Sequence, residues 1–171
     1  IFITGHFGNW EAGPLAYSAR YGEMTVIGRE SGNASVDEII RQRRERFGIE
    51  LIGKHNALKK IVSSMKKGNG IAIVVDQNTA ENEGILVDFF GLEARHTPVA
   101  SILAKRFDAV ILPVFTYKKG EGYVTEVSSP IVPDSKLGFE EDIKRLTQAQ
   151  ANATKEAILK EPSEYFWFHR R

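Results

Sequence analysis

The feature that most limits how this chain can fold is a set of short, unbroken apolar runs separated by segments of helical period. The runs lie at residues 1–4, 24–27, 71–75 and 109–115, and each ends at a glycine or a polar residue. Runs of this length suit strands covered on both faces. Between them, apolar residues recur at three- and four-residue intervals. Ser35 to Glu38 has the spacing of a capping box; Val36, Ile39, Ile40 and Phe47 then share one face, and Gly48 follows as a stop. Asn56 stands where it can cap a helix with Leu58, Ile61, Val62 and Met65 on its core face, ending at Gly68. Thr97-Pro98 reads as an N-cap followed by proline at the first helical position, with Val99, Ile102, Leu103 and Phe107 continuing the helix. Residues 138–160 form a long, mostly polar helix around Phe139, Ile143, Leu146 and Ala153.

Strands alternating with helices predict an α/β fold: a single-domain mixed, largely parallel sheet flanked by helices. The mixed character comes from residues 117–127, where a Lys/Gly-rich turn precedes the alternating Tyr123, Val124, Thr125, Glu126 and Val127, a hairpin pattern. Residues 165–168 are expected at a sheet edge. The length of 171 residues fits one domain, residues 1–171, able to bury a full core.

Charge narrows the function. Lys and Arg number 23 against 22 Asp and Glu, a formal net charge of +1, which gives no reason to expect a nucleic-acid partner. The charge is clustered, however, at Arg41, Arg43, Arg44 and Arg46 and at His169, Arg170 and Arg171. Such clusters suit phosphates, a membrane surface or an acidic partner, or else form a solvated helix face and a tail. With no cysteine, thiol nucleophiles and thiolate metal sites are excluded. The four histidines show no metal-ligand spacing, so no metal is expected. No apolar run approaches the roughly 20 residues of a membrane-spanning helix. The chain opens directly on a strand without a start methionine, so we read it as a trimmed piece with a membrane anchor upstream.

In open α/β sheets, ligands bind beyond the carboxyl ends of the strands. His6 follows the first apolar run, Arg29 the second, and Asp76 and Gln77 the third. His6 and Glu11 would not share a face of one helix, since their offset is about 500° of winding, or about 140° apart. They can meet if His6 leaves a strand and Glu11 sits in the following turn, a tight path that Gly5 and Gly8 allow. A carboxylate on one imidazole nitrogen fixes the tautomer, and the other nitrogen can then take a proton from an alcohol. The alternative is a helix start where His6 packs quietly and Glu11 serves the helix dipole. Rival motifs fail. Gly48 to Gly53, followed by Lys54 and His55, is one residue short of a phosphate-binding P-loop, and no Gly-x-Ser-x-Gly nucleophile elbow occurs.

The stretch Gly5-His6-Phe7-Gly8-Asn9-Trp10-Glu11 resembles the signature of the lysophospholipid acyltransferase superfamily, and in particular the bacterial lipid A biosynthesis (lauroyl/myristoyl) acyltransferases. Further blocks resemble that family in order: Val26-Ile27-Gly28-Arg29 with Asn33 nearby, Arg44-Glu45-Arg46-Phe47-Gly48, Val74-Val75-Asp76-Gln77-Asn78, Val87-Asp88-Phe89-Phe90-Gly91, Ile111-Leu112-Pro113-Val114, and residues 165–171. The Phe-Pro-Glu-Gly block of the glycerolipid branch is absent.

The resemblance implies transfer of a fatty acyl group from a thioester to a hydroxyl of a lipid A precursor, a phosphorylated glycolipid, at the cytoplasmic face of the bacterial inner membrane. It implies His6 as general base, Glu11 as the group that orients it, and Arg29 and Arg44 as acceptor-binding residues. Asp76 and Gln77 are expected to orient an arginine or sugar hydroxyls, and backbone N–H groups around Gly8 and Asn9 to serve as oxyanion donors. The donor would be acyl carrier protein or a coenzyme A thioester, with no separate cofactor. Alternatives are another lipid acyltransferase with a mannoside or glycerolipid acceptor, and a non-catalytic module that binds lipid or acyl carrier protein.

Overall fold

A computed structural model describes residues 1–28, 32–53, 57–80 and 82–168. The chain forms two compact units, Ile1–Trp10 with Val74–Arg171, and Glu11–Ile73. The strand pairings are mixed and largely parallel within an α/β framework, as the alternation of strand and helix patterns predicts.

In the Glu11–Ile73 unit the elements are α1 (Ala12–Tyr21), β2 (Met24–Ile27), α2 (Ala34–Glu45), β3 (Ile49–Ile52), α3 (Ala57–Lys66) and most of β4 (Gly70–Val74). Strand β2 is central and runs parallel to both β3 and β4. Ile71, Ala72 and Ile73 are consecutive and all buried, which requires cover on both faces of β4 and explains its unbroken apolar run. Met24, Ile49, Ile52 and Ile61 complete this core, and the buried hydroxyls of Thr25 and Ser64 satisfy one another by a hydrogen bond. Gly48 has φ of +72° and ends the α2 segment as expected.

Two expectations for α2 are corrected. Its cap is Asn33, whose Oδ1 accepts from the N–H groups of Ser35 and Val36; Glu38 instead binds Arg41 and Gln42. Asn33 competes successfully because it stands one residue before the helix, where its carbonyl reaches the unpaired N–H groups. The apolar stripe is also not a core face, because Val36, Ile39 and Phe47 are exposed and α2 buries no residue. The Asn56 cap expected for α3 lies outside the described residues.

The other unit contains β1 (Phe2–Thr4), β5 (Ile85–Phe89), β6 (Leu92–His96), α4 (Val99–Phe107), β7 (Leu112–Lys119), β8 (Gly122–Val127) and α5 (Phe139–Lys160). Strand β1 pairs with β7 in parallel, and β7 and β8 form the expected antiparallel hairpin. Sequence patterning missed the β5–β6 hairpin, since its alternation is interrupted by the Phe90-Gly91 turn. Both turn residues have positive φ, +58° and +81°, as a two-residue hairpin loop demands. The core joins Phe7, Val87, Phe89, Phe115, Ile158 and Tyr165. His96 is buried at the end of β6 with its ring 5.5 Å from that of Phe89. The helix after Thr97-Pro98 begins at Val99, with the Thr97 hydroxyl accepting the Val99 N–H. Residues 165–168 do not form an edge strand; Tyr165 makes a single antiparallel bridge, to Phe7. Among the described residues no helix is long and apolar enough to cross a membrane.

An acidic cluster opens α5, where negative charge complements the helix dipole. Asp142 in this turn is fully buried, and its carboxylate accepts from Lys105 Nζ at 2.9 Å, Arg145 Nη2 at 2.7 Å and the Asp134 N–H at 2.9 Å. Burial alone would raise its pKa. The hydrogen bonds from Lys105 and Arg145 outweigh burial and hold the carboxyl below its usual value. The resulting stabilisation is present above the unfolded-state pKa and lost as pH falls through the folded-state value. Asp142→Asn should cost roughly 3 kcal/mol at neutral pH, because it leaves Lys105 without its anionic partner. Thermal melts of both proteins across pH check this: the gap should close at acidic pH, and a gap that stays constant would exclude the charge as its cause.

Candidate active site

His6 stands just beyond β1, where the chain leaves the ladder. Phe2 and Gly8 are six apart in the chain, yet their partners on β7, Leu112 and Thr116, are only four apart, so the intervening segment is looped out. The loop is pinned on several sides. Phe7 N–H donates to Gly5 O at 2.8 Å, Gly8 N–H to Glu164 O at 2.7 Å, and Asn9 N–H to Thr116 O at 2.8 Å. Gly8 has φ of +53°, and a Cβ there would fall 2.2 Å from Thr116 O, so no other residue fits.

The looped segment turns the imidazole toward Asp76, which follows β4 by two residues. His6 Nδ1 lies 2.7 Å from Asp76 Oδ1, and the His6 backbone N–H donates to Asp76 Oδ2 at 2.9 Å. One carboxylate therefore holds both the ring and the backbone of the same residue. The Val75 N–H bond to Thr4 O, at 2.9 Å, aligns the two strand ends that carry them. Gly5 permits the approach, since a Cβ there would sit 3.2 Å from the Asp76 carboxylate. The Asp76 side chain is 1% exposed and that of His6 15%. Trp10 meets the His6 ring edge-on, with centroids 5.0 Å apart.

This geometry corrects one expectation. The carboxylate on the imidazole is Asp76, and Glu11 is engaged by Arg44: Nη2 donates to Oε1 at 2.6 Å and Nε to Oε2 at 3.2 Å. Glu11 stands at the N-cap of α1 and faces a guanidinium, a fork that satisfies both carboxylate oxygens. The anticipated oxyanion donors are also corrected, because the N–H groups of Gly8 and Asn9 are spent on backbone carbonyls.

The remaining predicted residues fall as follows. Arg44 is half-buried against Glu11, while Arg41 is tied to Glu38 and Glu45, leaving Arg43 and Arg46 exposed in the basic cluster. Gln77 is exposed in the loop after β4. Arg29, His55 and the terminal His169, Arg170 and Arg171 lie outside the described residues. Sequence reasoning missed Tyr165, whose hydroxyl donates to Asp76 Oδ2 at 3.1 Å. A buried-type aromatic with a polar tip in a terminal apolar segment was the available signal.

A proton on Nδ1 would face the carboxylate and leave Nε2 as the acceptor nitrogen of the ring. The site is thus a buried carboxylate–imidazole pair just beyond the ends of parallel strands, where α/β folds bind their ligands. The chain belongs to the bacterial lipid A biosynthesis acyltransferase family, whose family model matches residues 1–171. A lipid A biosynthesis acyltransferase of Haemophilus influenzae is 26% identical over 144 residues, covering 84% of this chain and 44% of the relative. The lipid A biosynthesis palmitoleoyltransferase of Escherichia coli K12 is 25% identical, covering 100% of this chain and 55% of the relative. A phosphatidylinositol mannoside acyltransferase of Mycolicibacterium smegmatis is 23% identical, covering 96% and 54%. The chain thus spans about half the length of these curated relatives.

Proposed function

We propose that this chain is the catalytic core of an O-acyltransferase that moves a fatty acyl group from an acyl thioester to a hydroxyl of a lipid A precursor. The observation that carries the reading is the 2.7 Å contact between His6 Nδ1 and the buried Asp76 carboxylate, within a chain of the lipid A acyltransferase family. Asp76 keeps the proton on Nδ1. Nε2 removes the proton of the acceptor hydroxyl as its oxygen attacks the thioester carbonyl. The tetrahedral intermediate then collapses to the ester, and the departing thiolate recovers the proton from the imidazolium. The enzyme ends the cycle unchanged, with no acyl-enzyme intermediate. Asp76 stabilises the imidazolium between the two proton transfers.

Arg29 and Arg44 are proposed for the acceptor's phosphate groups, since a guanidinium fork matches a phosphate; Arg44 would reach one by exchanging its hold on Glu11. The donor is proposed to be acyl carrier protein or coenzyme A, and acyl carrier proteins are acidic, which gives the exposed Arg43 and Arg46 a use. The cytoplasmic face of the inner membrane is the proposed site of action.

Similarity to a mannoside acyltransferase over 96% of this chain supports a second acceptor class. An acceptor panel decides between them. Radiolabelled acyl carrier protein and coenzyme A thioesters are supplied with a phosphorylated lipid A precursor, a phosphatidylinositol mannoside or a lysophospholipid. The expected result is ester formation chiefly on the lipid A precursor. Preference for the mannoside replaces the acceptor, and binding without turnover of any donor defeats the enzymatic reading.

A further inference from the structure

The segment after α5 carries a residue that bears on the imidazole through an intermediary. A 3₁₀ turn at Pro162–Glu164 ends α5's run, and Tyr165 leaves it in an extended conformation, φ −86° and ψ 137°. Two main-chain hydrogen bonds then fasten this segment to the loop that holds His6. Gly8 N–H donates to Glu164 O at 2.7 Å and Phe166 N–H donates to His6 O at 2.9 Å, and together they make the antiparallel bridge between Tyr165 and Phe7. The Tyr165 ring is buried, 5% exposed, in the cluster containing Phe7 and Phe115, and Trp167 meets it edge-on at 5.0 Å. The Trp167 indole N–H is itself tied back to Pro162 O at 2.9 Å. The Tyr165 ring therefore has its position set before its hydroxyl is considered.

That hydroxyl points at the carboxylate. Tyr165 Oη donates to Asp76 Oδ2 at 3.1 Å, the same oxygen that accepts the His6 backbone N–H at 2.9 Å, while Oδ1 faces His6 Nδ1 at 2.7 Å. A buried hydroxyl in a core of apolar rings is costly unless it has a partner, and one methyl-sized change, to phenylalanine, would keep the packing without it. Its chemical consequence is directional. A donor on Oδ2 draws negative charge from Oδ1, so it weakens the grip of the carboxylate on the Nδ1 proton.

We propose that Tyr165 is a positioning residue that sets, through Asp76, how strongly the His6 Nδ1 proton is held. This deepens the proposed acyl transfer and rests on that reading for its kinetic consequence, though not for its spectroscopic one. Tyr165 acts through Asp76. It completes a chain from the end of α5 to the imidazole in which Tyr165 donates to Asp76 and Asp76 accepts from His6.

The test uses Tyr165→Phe, with 3-fluorotyrosine introduced at position 165 as a second variant that keeps the hydroxyl and makes it a stronger donor. The first readout is the proton resonance of the His6 Nδ1–H in ¹⁵N-histidine-labelled protein, assigned among the four histidines by its loss in His6→Ala. Tyr165→Phe should move it downfield, because Oδ1 regains charge, and 3-fluorotyrosine should move it upfield. The second readout is kinetic: Tyr165→Phe returns charge to Oδ1 and so strengthens Nε2 as a base, and it should raise kcat up to about fivefold and leave both KM values unchanged. An unmoved resonance in both variants overturns the proposal, as does a change confined to KM. The spectroscopic arm needs no substrate. If His6→Ala and Asp76→Asn retained full turnover, the acyl-transfer mechanism would fail while the resonance shifts still judged Tyr165 by itself.

Discussion

His6→Ala should lower kcat by about 10²- to 10⁴-fold while leaving donor binding nearly intact. A lipid hydroxyl is a poor nucleophile at neutral pH, so most of its reactivity toward a thioester must come from a base that removes the proton during attack. The ring that would do so is 15% exposed, a position that reaches a substrate yet is shielded from bulk water on most sides. Its loss also removes the edge contact with Trp10, so the variant must be compared as folded protein by circular dichroism and thermal melting. Steady-state kinetics with an acyl thioester and a lipid A precursor provide the measurement. Undiminished turnover in the folded variant would remove His6 from the chemistry.

Asp76→Asn should fall in the same range and should act through His6 rather than beside it. The substitution keeps the shape of the side chain and replaces one acceptor oxygen with an NH₂ group. If that group faces Nδ1, the ring must carry its proton on Nε2, the nitrogen that has to accept one from the hydroxyl. If the amide oxygen faces Nδ1 instead, the tautomer is kept but the imidazolium loses its counter-charge. Either arrangement weakens the base. Residues acting as one unit give non-additive losses, so the double variant with His6→Ala should be little worse than His6→Ala alone. Glu11→Gln provides the contrast: it loosens the fork with Arg44, and its loss should be smaller than that of Asp76→Asn. Independent multiplication of the His6 and Asp76 losses would show that the carboxylate does not work through the imidazole.

The two acidic residues show how far the sequence could be read. Glu11 drew attention because it lies close to His6 in the chain and belongs to a block resembling a family signature. Asp76 lies 70 residues from His6, and nothing in local spacing couples them. It was legible as a polar residue beyond the end of a buried strand, a good place for a ligand-binding group. Which side chain it faces follows from strand pairing and from the two residues looped out of β1, and neither can be counted from composition or period. Tyr165 was harder still, because its apolar neighbours Phe166 and Trp167 made the segment resemble an edge strand.

What the sequence by itself determined is the alternation of unbroken apolar strands with helices, the β7–β8 hairpin, and the placement of His6 and Asp76 just past strand ends. These follow from periodicity and turn chemistry, which act over a few residues. Only the tertiary structure decided that Asp76 holds the imidazole, that Arg44 takes Glu11, that Gly8 and Asn9 have no N–H to offer an oxyanion, and that α2 leaves its apolar stripe exposed. Those are outcomes of competition among partners distant in the chain. Each polar group in the loop after β1 settles on the partner that packing brings within about 3 Å, and sequence proximity has no part in that choice.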